Sequence, residues 1–338
     1  MNIEKGSKMN FVVDAMGGDN APEVIVEGAI QAIKKLEKDD IITLVGDSER
    51  VGSILKEYGY RDHRIMIVHA SDVITNDEAP VKAVRRKKDS SIVKGLNLVK
   101  DGKGDVFMSA GSTGAVLAGG LLILGRIKGV DRPTLASLYP VIGHEPSLIA
   151  DAGANAECKP RNLLEFAKMG SIYMEKVLGR ENPTVGLINN GTEEGKGTSL
   201  TKEAYELLEK SELNFVGNIE TRELQNAVAD VIITDGFTGN AVIKLTEGLG
   251  LMVLREIKKM YLDSPRTKVG ALFVQDKLRN LKHQFDYKEY GGAPILGVKG
   301  AVLKMHGSSD AVAVRQTILK SRKYVEEDVV GIITEAIR

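Results

Sequence analysis

Residues 229–242 read ADVIITDGFTGNAV, and the interpretation of the whole chain starts from them. A β-forming run leads into Asp235, two glycines bracket Phe237 and Thr238, and a helical pattern follows. Glycine lets the backbone approach a ligand, and a helix N-terminus presents free N–H groups and the positive end of its dipole. The stretch therefore predicts a strand–loop–helix corner suited to an anion, except that Asp235 at its mouth would repel one.

A second corner of the same design lies upstream, where residues 104–116 read GDVFMSAGSTGAV. The matched positions are Asp105 with Asp230, Gly111 with Gly236, Thr113 with Thr238, and Gly114 with Gly239. The upstream corner has Ala110 where the downstream corner has Asp235. The two corners share one pattern but differ in the residue before the first glycine, which indicates two different roles. Such a similarity also arises by chance among strand–helix units.

The composition argues against several classes of protein. The 338 residues include 46 basic and 46 acidic side chains, so the formal net charge is zero and nothing global favours nucleic acid. Tryptophan is absent and aromatic residues make up only 5%, which argues against a base-stacking surface. The single cysteine, Cys158, excludes an internal disulfide framework, and residues 1–10 lack an apolar signal segment, so we expect a cytoplasmic protein.

Strand-length apolar runs alternate with helical patterns along most of the chain. This alternation predicts a three-layer α/β/α fold with a mostly parallel sheet. We expect residues 1–8 to be an N-terminal extension, such as a cloning remnant, and residues 9–338 to form a single catalytic domain. The uncharged residues 106–125 are long enough to span a bilayer, but their five glycines and strand–loop pattern favour a buried strand and helix.

Polar residues end many of these strand-like runs and are followed closely by glycine. In parallel sheets, ligands bind beyond the carboxyl ends of the strands. We therefore expect one rim of the sheet to gather Asp14, Ser109, Asp151, Asn189, Asn190 and Asp235. Each of these residues alone is compatible with ordinary turn chemistry, but together they predict the site.

The motif HGSSD at residues 306–310 predicts a second anion seat. Ser308 and Ser309 precede a helical pattern, and His306, Gly307 and Lys304 are adjacent in sequence. An ordinary helix cap is the alternative interpretation.

Two basic segments predict docking surfaces. The first comprises Arg85, Arg86, Lys87 and Lys88, and is either a solvated face or a patch for an acidic partner. The second belongs to residues 239–288, which predict a helical, amphipathic insertion. Its apolar stripe comprises Leu272, Phe273, Leu278, Leu281 and Phe285, and its basic residues include Lys277, Arg279 and Lys282. This segment suits an anionic membrane surface, an acidic protein or a dimer interface.

Other chemistries lack their signatures. The chain has no G-x-S-x-G elbow and no dinucleotide fingerprint, and its histidines show no metal-ligand spacing. We therefore expect no metal, no cofactor and no covalent enzyme intermediate.

One set of motifs extends from about residue 9 to the C-terminus: VVDAMGGDNAP, EAPVKAVRRKKDSS, SAGSTGA, RIKGVDRP, DAGAN, NNGTEEGKG, VADVIITDGFTGN, YGGAP and HGSSD. Together they resemble the bacterial phosphate acyltransferases of phospholipid synthesis. The resemblance implies fatty acyl transfer from acyl carrier protein to inorganic phosphate, a homodimer, and peripheral contact with an anionic membrane. It also implies a fold similar to isocitrate and isopropylmalate dehydrogenases and to phosphotransacetylase. Asn20 departs from the family pattern, so a histidine base is not available there.

Such an enzyme must hold phosphate, already a nucleophile near neutral pH, against a thioester carbonyl. The upstream corner, with Ser109, Gly111, Ser112, Thr113 and Gly114, would receive phosphate or the forming oxyanion. Asp235 would orient a Lys or Asn or take a proton, and Asp14 would help to position phosphate or would only cap its turn. The candidate cations are Lys196, Lys244 and Lys304, and the candidate neutral groups are Asn155, Asn189, Asn240 and the backbone at Gly236 and Gly239.

Three alternatives remain open at this point. A short-chain acyl-CoA:phosphate transferase would share the fold but use a different donor. A metal- and NAD-dependent decarboxylating dehydrogenase would need clustered carboxylates and a dinucleotide site. A non-catalytic membrane scaffold would not need so many polar strand ends.

Overall fold

The computed structural model describes residues 8–285 and 291–337, and for residues 279–285 it describes the backbone only. Within this part of the chain, eleven strands form one sheet. The strands are β1 (Asn10–Asp14), β2 (Ile41–Gly46), β3 (Ile65–His69), β4 (Val106–Ser109), β5 (Thr134–Tyr139), β6 (Ser147–Ala150), β7 (Thr184–Asn189), β8 (Asn214–Glu220), β9 (Val231–Ile233), β10 (Ala293–Leu296) and β11 (Ala301–Lys304). The sequence predicted the first nine of these strands, and β10 and β11 were missed.

Helices cover both faces of the sheet. They are α1 (Glu23–Ile33), α2 (Ser48–Glu57), α3 (Pro80–Arg86), α4 (Ser91–Lys100), α5 (Thr113–Gly119), α6 (Pro160–Leu178), α7 (Ser199–Glu209), α8 (Gly236–Leu262), α9 (Pro265–Phe285), α10 (Ala311–Glu326) and α11 (Val329–Ala336). A π-helical turn, Gly120–Leu124, extends α5. The uncharged segment 106–125 is therefore a strand, a helix and this turn, as expected.

Alternate residues of the central strand β1 show the three layers. Phe11 and Val13 belong to the apolar cluster that contains residues of α1, α6 and α10. Val12, between them, belongs to the cluster that contains residues of α3, α4 and α5. All three side chains are fully buried. Since successive side chains of a strand point to opposite faces, the sheet lies between two helical layers, and the predicted α/β/α fold is confirmed.

The sheet consists of two parallel halves that run in opposite directions. The strand order is β3-β2-β1-β4-β11-β10-β5-β6-β9-β7-β8. All pairs from β3 to β11 are parallel, and so are all pairs from β6 to β8. The three pairs that join the halves, β11–β10, β10–β5 and β5–β6, are antiparallel. An odd number of reversals separates β11 from β6, so the two halves point in opposite directions.

This reversal corrects the expected position of the polar strand ends. Asp14 and Ser109 end strands of the first half, whereas Asp151, Asn189 and Asp235 follow strands of the second half. The two groups consequently lie at opposite edges of the sheet, not on one rim. The rule about carboxyl ends applies within each parallel half, and the sequence pattern did not show that antiparallel strands separate the halves.

The sequence similarity between the two corners is matched by similar hydrogen bonds in the two halves of the sheet. Asp105, just before β4, accepts a hydrogen bond of 2.6 Å from the Asn10 N–H at the start of β1. Asp230, just before β9, accepts one of 2.8 Å from the Thr184 N–H at the start of β7. In both halves a carboxylate thus ties the beginning of a strand to the beginning of its parallel neighbour.

The segment expected to be a helical insertion consists of α8 and α9, which pack against each other. No residue of the range 240–278 is buried. The most exposed large apolar side chains there include Leu245, Leu251, Met260, Leu272 and Phe273, and Phe273 is 85% exposed. Across the described residues, no helix combines the length and hydrophobicity needed to cross a bilayer. The expected extension at residues 1–8 lies outside the described residues except for Lys8.

Candidate active site

Helix α8 connects the two edges of the sheet. At its first residue, the Gly236 N–H donates to the Asn155 carbonyl at 2.8 Å, beside the loop that follows β6. Two turns later, Lys244 Nζ lies 3.1 Å from His306 Nε2, in the loop that follows β11. These eight residues rise only about 12 Å, at about 1.5 Å per residue. The first two turns of α8 therefore line the space between polar loops that the sheet itself holds apart.

Glycine at position 239 makes this placement possible. A Cβ atom built there would lie 1.9 Å from the carbonyl oxygen of Asp151, a distance at which no side chain can be accommodated. The next residue, Asn240, is exposed and lies beside Gly153 of the same loop. The sequence motif TGN therefore seats α8 directly on the loop after β6, and it orients the exposed face that carries Asn240 and Lys244.

The upstream corner is open. Ser112 caps α5, because its Oγ accepts from the Ala115 N–H at 3.4 Å. The hydroxyl of Ser109 accepts from the Gly111 N–H at 3.0 Å. In the described structure, the N–H groups of Ser112, Thr113 and Gly114 have no protein acceptor. The corner thus has a neutral cap and free amides, as an anion seat requires.

The downstream corner is closed by its own acid. Asp235 Oδ1 accepts from the Thr238 N–H at 2.9 Å, and its Oδ2 accepts from the Thr238 hydroxyl at 2.8 Å. The Gly236 N–H is already bound to Asn155. Asp235 is therefore the N-cap of α8, and it occupies the Thr238 N–H, whose counterpart in the upstream corner, the Thr113 N–H, has no described protein acceptor. Of the two similar corners, the upstream one therefore presents free amides without a carboxylate, and Asp235 belongs to the corner that binds its own helix.

Three loops meet beside the open corner. A Cβ on Gly17, in the loop after β1, would lie 2.6 Å from the Gly111 nitrogen. The Asp19 N–H, in the same loop, donates to the Gly307 carbonyl at 2.8 Å. The Met305 N–H donates to the Ser109 carbonyl, also at 2.8 Å. The loops after β1, β4 and β11 thus form one continuous surface.

Asp14 is buried beneath this surface. Its Oδ2 accepts from the Ser109 hydroxyl at 2.6 Å, and its Oδ1 accepts from the Met16 N–H at 3.0 Å. Burial raises the pKa of Asp14, while hydrogen bonds from Ser109 and Ser91 oppose that rise. Asp14 therefore holds the loops together from below and does not face solvent. The Ser91 contact was missed by sequence reasoning, although Ser91 ends the motif KKDSS.

The loop after β11 carries the imidazole of His306, which lies beside the ammonium of Lys244 on α8. His306 Nδ1 lies 2.8 Å from Ser308 Oγ. Burial lowers the pKa of His306, and the charge of Lys244 lowers it further, which favours a neutral ring able to accept from the Lys244 ammonium. Lys244 also forms an ion pair of 2.8 Å with Glu247.

The second anion seat expected at residues 306–309 is largely filled by internal contacts. The Ser308 N–H donates to His306 Nδ1 at 3.1 Å, and the Ser309 N–H donates to the His306 carbonyl at 3.0 Å. The cap of α10 is Asp310, whose Oδ1 accepts from the Ala313 N–H. Because a carboxylate occupies this helix N-terminus and two loop amides are engaged, Ser308 and Ser309 position His306 and leave little room for an anion.

At the opposite edge, Asp151 organises its loop. Its carboxylate is fully buried and accepts from the backbone N–H groups of Leu135, Gly153, Ala154 and Asn155 and from the Asn155 side chain. Burial raises the pKa of Asp151, and these hydrogen bonds oppose the rise. The Asn155 amide also donates to the Pro133 carbonyl at 2.8 Å, so its donors are occupied. Asn155 was expected to serve a substrate carbonyl, but its contacts are structural.

Asn189 and Lys196 form a separate cluster after β7. The Asn189 side-chain amide donates to the Lys196 carbonyl and to the Asn218 side chain, both at 3.1 Å. These bonds fold the loop of residues 190–198 onto β7. Of the candidates named from the sequence, α8 therefore brings Lys244 to His306, in a loop bonded to Ser109, and places Asn240 beside the loop after β6. Asn189 and Lys196 lie after β7, in the other half of the sheet.

The first basic segment lies next to the open corner. Helix α3 packs on α5, since a Cβ on Gly114 would lie 2.6 Å from Pro80 Cγ. Arg85 and Arg86 are exposed on α3. Lys87 is instead bound to Glu78 at 2.6 Å and to the Val73 carbonyl at 2.7 Å.

The other predicted docking residues lie just after α3 and on α9. Lys88 is exposed and contacts the Val84 carbonyl at 3.4 Å. Phe273 and Lys277 are exposed on α9. The side chains of Arg279, Leu281, Lys282 and Phe285 lie outside the described residues.

Solved structures with a similar fold include a phosphotransacetylase and a branched-chain phosphotransacylase. A phosphotransacetylase from Streptococcus pyogenes superposes with a TM-score of 0.65 and 17% identity, covering 96% of this chain and 95% of that chain. A branched-chain phosphotransacylase from Enterococcus faecalis V583 gives a TM-score of 0.58 at 15% identity, covering 94% and 99%. These likenesses establish the fold and agree with the predicted similarity to phosphotransacetylase.

Sequence comparison identifies much nearer relatives. The phosphate acyltransferase of Clostridioides difficile strain 630 is 52% identical over 329 residues, which cover 97% of this chain and 96% of that protein. The phosphate acyltransferase of Alkaliphilus oremlandii strain OhILAs is also 52% identical, with 97% of each chain covered. The family model described as "Fatty acid synthesis protein" matches residues 9–331. The chain therefore belongs to the phosphate acyltransferase family of fatty acid synthesis proteins.

Proposed function

We propose that the chain transfers a fatty acyl group from the thioester of acyl carrier protein to inorganic phosphate. The single observation that carries this proposal is the open corner of residues 109–114, which is bonded to the loop where His306 contacts Lys244 of α8. Free amides and a cation beside them suit a reaction in which a dianion attacks a carbonyl and negative charge develops on its oxygen.

In the proposed reaction, a phosphate oxygen attacks the thioester carbonyl carbon and forms the new C–O bond. The negative charge moves to the carbonyl oxygen of a tetrahedral intermediate, which collapses with cleavage of the C–S bond. The pantetheine sulfur leaves as a thiolate, a tolerable leaving group because a free thiol has a pKa of about 8.5. The backbone amides of Ser112, Thr113 and Gly114 hold the phosphate, and Asn240 and Lys244 stabilise the carbonyl oxygen.

Assays with two donors test the function. Purified protein is mixed with phosphate and either palmitoyl-acyl carrier protein or acetyl-CoA, and release of the free thiol is followed. We expect turnover with the carrier-protein thioester and little with acetyl-CoA. Lys244→Met should lower kcat by about 100- to 1,000-fold, the usual effect of losing one oxyanion donor. A preference for acetyl-CoA would support the short-chain alternative.

Asp235 is the residue for which two roles compete, a helix cap and a base or orienting group. Its contacts support the cap. Asparagine is an equally good N-cap, so Asp235→Asn should keep turnover near that of the unmodified protein from pH 6 to 8, whereas Asp235→Ala should lower the free energy of unfolding by about 1 kcal/mol. Measurements of turnover and of urea unfolding on both variants distinguish the two roles. A large loss of turnover in a stable Asp235→Asn protein would support the catalytic role instead.

We propose that α3 docks the acyl carrier protein, which is acidic. The exposed Arg85 and Arg86 lie on a helix that packs against the open corner, so a partner bound there is close to the phosphate seat. Reversal of both charges to Glu should raise KM for the carrier-protein substrate and weaken its dependence on salt, with KM for phosphate unchanged. Lys277→Glu on α9 is the matched control. If only the control raises KM, α9 is the docking surface.

We propose that the α8–α9 hairpin binds an anionic membrane surface peripherally. Within residues 251–278, six basic and three acidic residues accompany the exposed apolar side chains. Phe273→Glu should abolish flotation with liposomes that contain anionic lipid, while Lys299→Glu, on an exposed loop outside the hairpin, should have a weaker effect.

The proposal also includes the homodimer, which is implied by the family resemblance. The oligomeric state of the same preparations is measured by sedimentation. Loss of the dimer in Phe273→Glu, with flotation retained, would assign the apolar stripe to subunit contact instead of the membrane.

A further inference from the structure

Three side chains from three neighbouring strands form one row at the edge of the sheet that carries the open corner. Lys304 of β11 is paired in register with Ser109 of β4. The register of β1 with β4 pairs Val13 with Met108, which aligns Asp14 with Ser109 at the next position. Side chains in register on parallel neighbours point to the same face, about 4.8 Å apart. Carboxylate, hydroxyl and ammonium therefore follow one another across the strand ends.

Hydrogen bonds connect this row to the open corner. The Ser109 hydroxyl donates to Asp14 at 2.6 Å and accepts from the Gly111 N–H at 3.0 Å. The Lys304 ammonium donates to the carbonyl of Met305, whose own N–H is bound to Ser109. The row is thus attached at two points to the loop that presents the free amides.

Lys304 is an unusual residue for this position, because it is only 7% exposed and lysine is almost never buried without a partner. An ammonium has three donors, and the described contacts use one of them, on a carbonyl. The charged groups around it are Asp14 at the end of β1, Asp19 in the following loop, Lys244 on α8 and His306 after β11. Burial lowers the pKa of Lys304 to about 8. The carboxylates of Asp14 and Asp19 oppose this fall, and the like charge of Lys244 adds to it.

We propose that Lys304 binds the phosphate that accepts the acyl group, holding it between the amides of Ser112, Thr113 and Gly114 and the ammonium of Lys244. Asp14 keeps Ser109 and Lys304 in place from below. An anion in this position offsets the repulsion between the two lysines and supplies acceptors for the two ammonium donors that the Met305 carbonyl does not use. The inference rests on the proposed function, and it assigns the phosphate seat within that site.

The proposal fixes the direction of a pH effect. Lys304 is charged below its pKa of about 8, so phosphate binding is strongest there and weakens as the pH rises through that value. Arginine stays charged throughout this range. Asp14, Asp19, Lys244 and His306 are the same in wild type and in Lys304→Arg, so the difference between the two pH profiles reports position 304.

The decisive experiment compares Lys304→Met and Lys304→Arg with the exposed control Lys299→Met. Initial rates are measured against phosphate and against the acyl donor from pH 6.5 to 9.5. We expect Lys304→Met to raise KM for phosphate about 10- to 100-fold, the range of one charge-assisted hydrogen bond, with KM for the acyl donor unchanged. Lys304→Arg should restore part of the affinity and lose the alkaline decline seen in wild type, and Lys299→Met should behave as wild type.

Phosphate binding measured by calorimetry without acyl donor separates this inference from the function itself. If wild type binds phosphate and Lys304→Met binds it equally well, the inference is wrong whether or not the protein transfers acyl groups. If wild type shows no acyl transfer but Lys304→Met loses phosphate binding, the proposed function is wrong and the phosphate seat stands. Circular dichroism checks folding, and should Lys304→Met not fold, an unchanged alkaline decline in Lys304→Arg overturns the inference by itself.

Discussion

The contact between Gly239 and the Asp151 carbonyl is the constraint on which the proposed site depends. The two halves of the sheet present their carboxyl ends at opposite edges, so the sheet alone cannot gather the polar loops. Helix α8 does so because its first turn lies directly on the loop after β6 and its second turn reaches His306. A side chain larger than hydrogen at position 239 would lift the helix and move Asn240 and Lys244 together. The geometry of the site is therefore a property of backbone packing, and the polar side chains only complete it.

The two glycine corners show how a small chemical difference decides between ligand binding and structure. Both corners follow a strand whose beginning is bonded to the neighbouring strand through a carboxylate, and both begin a helix. A serine hydroxyl caps α5 and adds no charge, whereas the Asp235 carboxylate places a negative charge at the start of α8. The positive end of a helix dipole favours a nearby negative charge. At the start of α8 the Asp235 carboxylate already provides that charge, whereas the start of α5 has none.

The sequence predicted much of the fold, because nine strands and the helices between them have clear apolar periodicity. It did not reveal the direction of β5, β6 and β10, since pairing direction is decided by contacts distant in the chain. Strands β10 and β11 are four residues each. The sequence before them shows no alternation of strands with helices, so they were missed. The open corner, Lys244 and His306 were named from the sequence and are connected by hydrogen bonds between their loops. Asp235, Asn155 and Asn189 were named by the same reasoning and proved to be bonded to their own loops, because a polar residue after a strand looks the same whether it caps or binds.

Helix α8 contains two levels of stability within one continuous element. Its first three turns are held by the loop after β6, by the partly buried Val242 and Ile243, and by the hydrogen bond between Thr246 and Tyr139, whereas its later residues have no described contact with the core. The outer turns can open and close by themselves, with a free energy far below that of global unfolding, while the inner turns open only when the core does. Fraying at the distal end of the helix is therefore expected to stop before it reaches Lys244, so the proposed site keeps its geometry while the protruding end changes conformation.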